Sequence, residues 1–140
     1  RRYDLVAHIL VRAVERAAEG EHLQDALRET AHAEGEDLGR AASASADRRS
    51  VAEHASSGES ELRRLGSVLA TQGYEPRLDD STLVLANCPF DALAREHTDL
   101  VCGLNHSYVE GVVDGLGQPH IQTPLRPVPG RCCVTARFTG

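Results

Sequence analysis

The chain has 140 residues, with 15 basic and 21 acidic side chains and a formal net charge of −6. That excess of carboxylates argues against the chain by itself gripping nucleic acid or an anionic membrane, and no apolar run approaches the ~18 residues that read as a membrane span. Hydrophobic residues at 41% suffice for one closed core, but with aromatics at 4% and no Trp or Met that core has to be built mainly from Leu, Val and Ala.

The first half reads as helical. Leu5, Val6, Ile9, Leu10, Ala13, Val14 and Ala17 recur at steps of three and four, which predicts an amphipathic helix from Tyr3 to Ala18. Gly20 is its stop. Leu23, Ala26, Leu27, Thr30 and Ala31 predict a second helix running into Gly35, and the stretch from Leu38 to Ala46 either extends it or forms another. Residues 41–59 are rich in Ser and Ala and read as a loop. Leu62, Leu65, Val68 and Leu69 predict a helix from Ser60 to Gln72, closed by Gly73.

The period then changes. Tyr74 to Leu78 and Thr82 to Ala86 read as strands joined by the turn Asp79-Asp80-Ser81. Pro89 ends the second strand because it cannot donate a ladder hydrogen bond. A helix follows, from Asp91 or Asp99 to Leu116, with Leu100, Val101, Leu104, Tyr108, Val109, Val112 and Val113 on its apolar side. A second hairpin runs through His120–Arg126 and Cys132–Phe138. The order of helices, hairpin, helix and hairpin predicts an α+β fold, a small antiparallel sheet covered by helices.

Residues 1–80 carry 16 acidic and 11 basic side chains and no cysteine, whereas residues 81–140 carry 5 and 4 and hold Cys88, Cys102, Cys132 and Cys133. No signal peptide is visible in the sequence, so the chain is expected to be cytoplasmic, where disulfides are disfavoured and metal binding or reactivity becomes the sharper reading. No CxxC pair, Walker loop, GxGxxG turn, HExxH or GxSxG is present. Alternation along a strand puts Cys132 with Val134, Ala136 and Phe138, facing inward, and Cys133 with Thr135 and Arg137. Three thiolates from a strand end, a helix and a last strand could hold zinc or an iron–sulfur cluster. His106, one turn after Cys102, and His97, in the preceding turn, are candidate further ligands. The plainer alternative is that the cysteines are small buried apolar side chains. No carboxylate or amide is placed to orient a histidine beside a nucleophilic cysteine, so an enzyme is not expected.

Asn87-Cys88-Pro89-Phe90, then Leu100-Val101-Cys102-Gly103-Leu104-Asn105, then Gly130-Arg131-Cys132-Cys133-Val134 together resemble the C-terminal sensor region of bacterial winged-helix transcriptional regulators. The resemblance is to the ArsR/DeoR-like group that includes the Suf-operon iron–sulfur repressors. Arg1-Arg2-Tyr3-Asp4-Leu5 resembles the linker helix that follows the DNA-binding domain in that group. The likeness implies one sensor domain over 1–140. Residues 1–40 would be linker and dimerisation helices, 41–59 a loop, and 60–140 the cysteine-containing core. It implies that Cys88, Cys102 and one of Cys132 or Cys133 ligate a cluster whose state is passed to DNA through an N-terminal domain not contained in this chain. A homodimer follows from the two-fold symmetry of operators. The alternative is a regulator domain that binds a small-molecule effector, with structural cysteines.

Overall fold

The computed structural model describes residues 3–47, 58–126 and 132–139. Helix α1 (Tyr3–Ala18) buries Val6, Ile9 and Ala13, the stripe set by its three-and-four spacing. Gly20 turns the chain at a φ of +106°, a conformation that favours glycine. Helix α2 (Leu23–Asp47) then runs back along α1. Arg16 fastens the turn, donating to both carboxylate oxygens of Glu21 at 2.8 and 3.0 Å and to Glu29 at 2.5 Å.

Of the two alternatives for Leu38–Ala46, the structure takes extension past Gly35; residues 41–47, expected in a loop, continue the helix. The rest of that loop, residues 48–57, lies outside the described residues. The reason for the continuation is packing against α5 (Thr98–Leu116), the most extensive helix contact in the molecule. A Cβ on Gly35 would stand 2.0 Å from the Tyr108 carbonyl oxygen, and one on Gly39 2.4 Å from that of Val112. Reciprocally, Gly111 and Gly115 meet the carbonyls of His32 and Glu36 at 2.1 and 2.2 Å. The glycines are there to let two backbones touch, and tertiary contact overrides their weak helix propensity.

Helix α3 (Gly58–Ala70) buries Leu62, Leu65, Val68 and Leu69 and packs on the sheet. Gly73, at a φ of +94°, ends this segment as its position predicts. The hairpin of β1 (Pro76–Asp79) and β2 (Thr82–Leu85) pairs Asp79 with Thr82 across the expected turn. After a short α4 (Asp91–Glu96) the chain bends at His97 into α5, so both proposed helix starts are used. Strands β3 (Ile121–Gln122) and β4 (Thr135–Phe138) complete an antiparallel sheet in the order β1-β2-β4-β3. The architecture is α+β, helices followed by a small antiparallel sheet. Leu83, Leu85, Ile121, Val134 and Ala136 join the helix side chains in one core. No helix among the described residues is long and apolar enough to cross a membrane.

Candidate functional site

The sequence around Cys88 is a device for presenting a thiol. Asn87 reaches back to the end of α3, accepting from the Glu75 N–H at 2.7 Å and donating to the Gly73 carbonyl at 3.0 Å. Pro89 stops the strand, and Phe90, fully buried, plugs the following turn into the core. Cys88, held between these anchors, is half-buried at the edge of the molecule.

The other sulfurs come from two further segments. Cys102 lies on the inner side of α5 and is buried. Cys132 is placed by its own N–H, which donates to the Leu85 carbonyl at 3.1 Å, and Cys133 by its carbonyl, which accepts from the Arg126 N–H at 2.6 Å. Both lie just before β4, where strict alternation has not begun. Hence the expected outward placement of Cys133 does not hold: Cys132 is 1% and Cys133 5% exposed.

The four thiols influence one another's protonation: Cys132 acts on Cys88 and Cys133, and Cys102 on Cys133. Cys132 is the acceptor among them. Hydrogen bonds from the Cys133 thiol, the Cys88 thiol, the Val134 N–H and Asn105 bring its pKa down to about 3, against the upward push of burial. Cys133 and Cys88 are pushed up, first by sharing their protons with Cys132 and then by burial.

Two residues of this centre were not singled out by sequence patterning. Asn105, wholly buried, donates its amide N–H to Cys132 Sγ at 3.0 Å. Its carbonyl oxygen accepts from the Tyr74 hydroxyl. The available signal was a polar Asn amid the apolar face of α5, three residues after Cys102.

The histidines do not join the thiols. His97 is exposed at the bend between α4 and α5. His106 donates from Nε2 to the Thr123 carbonyl at 2.7 Å and turns Nδ1 to Glu110 at 3.2 Å. Both ring nitrogens are thus engaged away from the sulfurs. Four soft donors match the chemistry of a thiophilic ion or an iron–sulfur cluster. Among the described residues, however, no three His, Cys, Asp or Glu side chains are grouped so as to hold a metal ion. Among the described residues the sulfurs do not form a closed ligand shell.

Away from the thiols, a cleft of about 350 Å³ opens between α5 and β3, lined in part by His106, Glu110, Asp114 and Ile121. A second, of about 290 Å³, lies between α2 and α5 over His32 and Ser107. Neither is lined by a cysteine. No protein-family model, curated protein or solved structure matches the chain.

Proposed function

We propose that the chain is the sensor domain of a bacterial transcriptional regulator, responding through its cysteines to a thiophilic metal ion or an iron–sulfur cluster. What supports this reading is that cysteines from three distant chain segments, three of them buried, shift one another's protonation. Isolated apolar fillers would have no such mutual influence. Cys88, Cys102 and Cys132 would hold the group, with Cys133 beside them. A bound metal or cluster would supply a strong link between the segments and, for a cluster, redox sensitivity. Binding displaces thiol protons, so occupancy falls with acid. Locking the β2–α4 turn, α5 and the start of β4 together biases the helices that carry the signal onward.

Anaerobic purification followed by elemental analysis and absorption spectroscopy tests this. Stoichiometric zinc or iron is expected, with a sulfur-to-metal charge-transfer band when the metal is iron or substituted cobalt. The Cys88→Ser and Cys102→Ser variants are each expected to lose at least tenfold in occupancy. Metal-free, colourless protein after reconstitution would remove the proposal. In that case the cleft beside His106, Glu110 and Asp114 favours the second reading, an effector-binding regulator domain. Thermal stabilisation by small polar compounds in a ligand screen, lost in Glu110→Ala, is the corresponding result.

The partner proposed for α1 is a second copy of this chain. Tyr3, Leu10, Val11 and Val14 are all exposed, Val11 and Val14 by 58% and 59%. Tyr3, Ala7, Leu10, Val14 and Ala17 follow the alternating four-and-three spacing of a helix-pairing seam. Identical seams match each other about a two-fold axis, and by the linker-helix resemblance this helix would lie where regulator dimers join. Substituting Val11→Glu and Val14→Glu together is expected to convert dimer to monomer in analytical ultracentrifugation, with the far-UV circular dichroism unchanged. A wild-type chain that is monomeric at high micromolar concentration would refute the pairing.

A further inference from the structure

Where α5 packs beside α2, one buried polar group has nothing to bind. Ser107 is 8% exposed, and among the described residues its hydroxyl has no hydrogen-bond partner. Buried hydroxyls are as a rule paired, because an unmade bond leaves their desolvation uncompensated. This one borders the cleft of about 290 Å³ between the two helices, whose other lining residues are Arg28, Glu29, His32 and Glu110. Each of those four is held by a residue that does not line the cleft. Arg28 donates to Asp25 at 2.5 Å, and Glu29 accepts from Arg16 at 2.5 Å. His32 meets Asp114 at 2.7 Å, and Glu110 meets His106 at 3.2 Å. Both signs of charge are therefore fixed around the cleft before any ligand arrives, which lowers the cost of ordering them on binding.

We propose that this cleft binds a small free α-amino acid. The carboxylates of Glu29 and Glu110 suit an ammonium group, and the Arg28 guanidinium suits a carboxylate. The Ser107 hydroxyl gives or takes a hydrogen bond with either end of such a ligand. A molecule carrying one charge alone is opposed: a simple amine meets Arg28, and a simple carboxylate meets Glu29 and Glu110. The volume lies at the lower edge of the ~300–1,000 Å³ of small-molecule sites, which favours glycine, alanine or serine over an amino acid with a long side chain. Seated there, the ligand joins α2 to α5, the most extensively packed helix pair, and stabilises the folded chain by mass action. No cysteine lines the cleft, so the site is separate from the sulfurs and goes beyond the sensor reading.

The test uses the whole chain, reduced and stripped of metal by a chelator, titrated in turn with glycine, L-alanine and L-serine. Isothermal titration calorimetry and thermal melts read the binding. At least one of the three is expected to bind saturably and to raise the melting temperature. Ethylamine and propionate, which carry the two charges separately, are each expected to bind at least tenfold more weakly. Glu110 also lines the cleft beside His106, so the diagnostic variants are Ser107→Val, which fills this cleft, and Arg28→Gln. Both are expected to fold, because Ser107 gives up no hydrogen bond and the Arg28 side chain is 63% exposed. Each is expected to lose at least fivefold in affinity. Absence of saturable binding by all three amino acids, equal binding by ethylamine or propionate, or unchanged affinity in either folded variant would overturn the proposal. The charge-separated controls on the wild type decide the matter even if a variant fails to fold. Because the protein is metal-free throughout, failure of the metal reading leaves this result standing, and the reverse also holds.

Discussion

Gly35→Ala is expected to destabilise the chain by about 3 kcal/mol, the upper part of the ~1–3 kcal/mol range for overpacking, or to prevent folding. The new methyl would lie 2.0 Å from the Tyr108 carbonyl oxygen and 2.9 Å from the Val112 nitrogen. Those atoms belong to helix backbone, so no side-chain rotation relieves the clash and α2 has to move off α5. Gly103→Ala on the same α5 is the control. Nothing lies within 4 Å of a Cβ there, so the substitution is expected to stabilise by ~0.5–1 kcal/mol through lower unfolded-chain entropy. Urea denaturation of the two variants checks both signs. Equal effects would mean that α2 and α5 do not approach as closely as the glycines require.

Asn105→Leu is the second large effect. The substitution leaves the Tyr74 hydroxyl, itself 3% exposed, without its acceptor, and an unpaired buried polar group costs about 1–3 kcal/mol. It also strips a donor from Cys132, one of several groups that hold its thiol down at about 3, so the pKa of that thiol should rise. The pH consequence has a definite sign. Between about 3 and the ordinary value of 9.0 the unfolded chain binds a proton at Cys132 that the folded chain does not. Stability from this group therefore grows with pH across the interval and is lost as pH falls towards 3. Cys88 and Cys133 act in the opposite sense. Raised in the folded state, they keep protons there that the unfolded chain releases above about pH 9, so stability declines at alkaline pH. Urea melts across pH should show both limbs in the wild type. The acid limb should be weaker in Asn105→Leu and the alkaline limb weaker in Cys133→Ser. Tyr74→Phe should show a smaller loss than Asn105→Leu because Asn105 keeps its bond to Cys132.

The hairpin at Asp79-Asp80-Ser81 is readable from sequence because its information is local: a turn-forming trio between two β-rich runs. Gly73 ends α3 for the same reason. Gly35 and Gly39 carry no such local meaning. Their purpose is set by Gly111 and Gly115 some 75 residues later, and taken alone they resemble stop signals. The cysteines' convergence is suggested by their distribution over distinct elements, but the inward turn of Cys133 depends on where β4 begins. Asn105 escapes a pattern search because a buried amide is recognised only by its partners, Tyr74 and Cys132. His106 shows the converse. It shares a helix face with Cys102 on paper, yet Thr123 and Glu110 take its ring.

The pairing of β4 with β2 has a consequence for the chain during its own synthesis. Cys88 and Cys102 emerge early, but Cys132 is positioned by the Leu85 carbonyl and Val134 by its pairing beside Leu125. Until residues 132–134 leave the ribosome, Cys88 and Cys102 lack these neighbours and are open to adventitious oxidation or wrong metals. The order of translation therefore brings the four cysteines together only after residue 132 is made, and a chain cut before Cys132 would carry two orphan thiols.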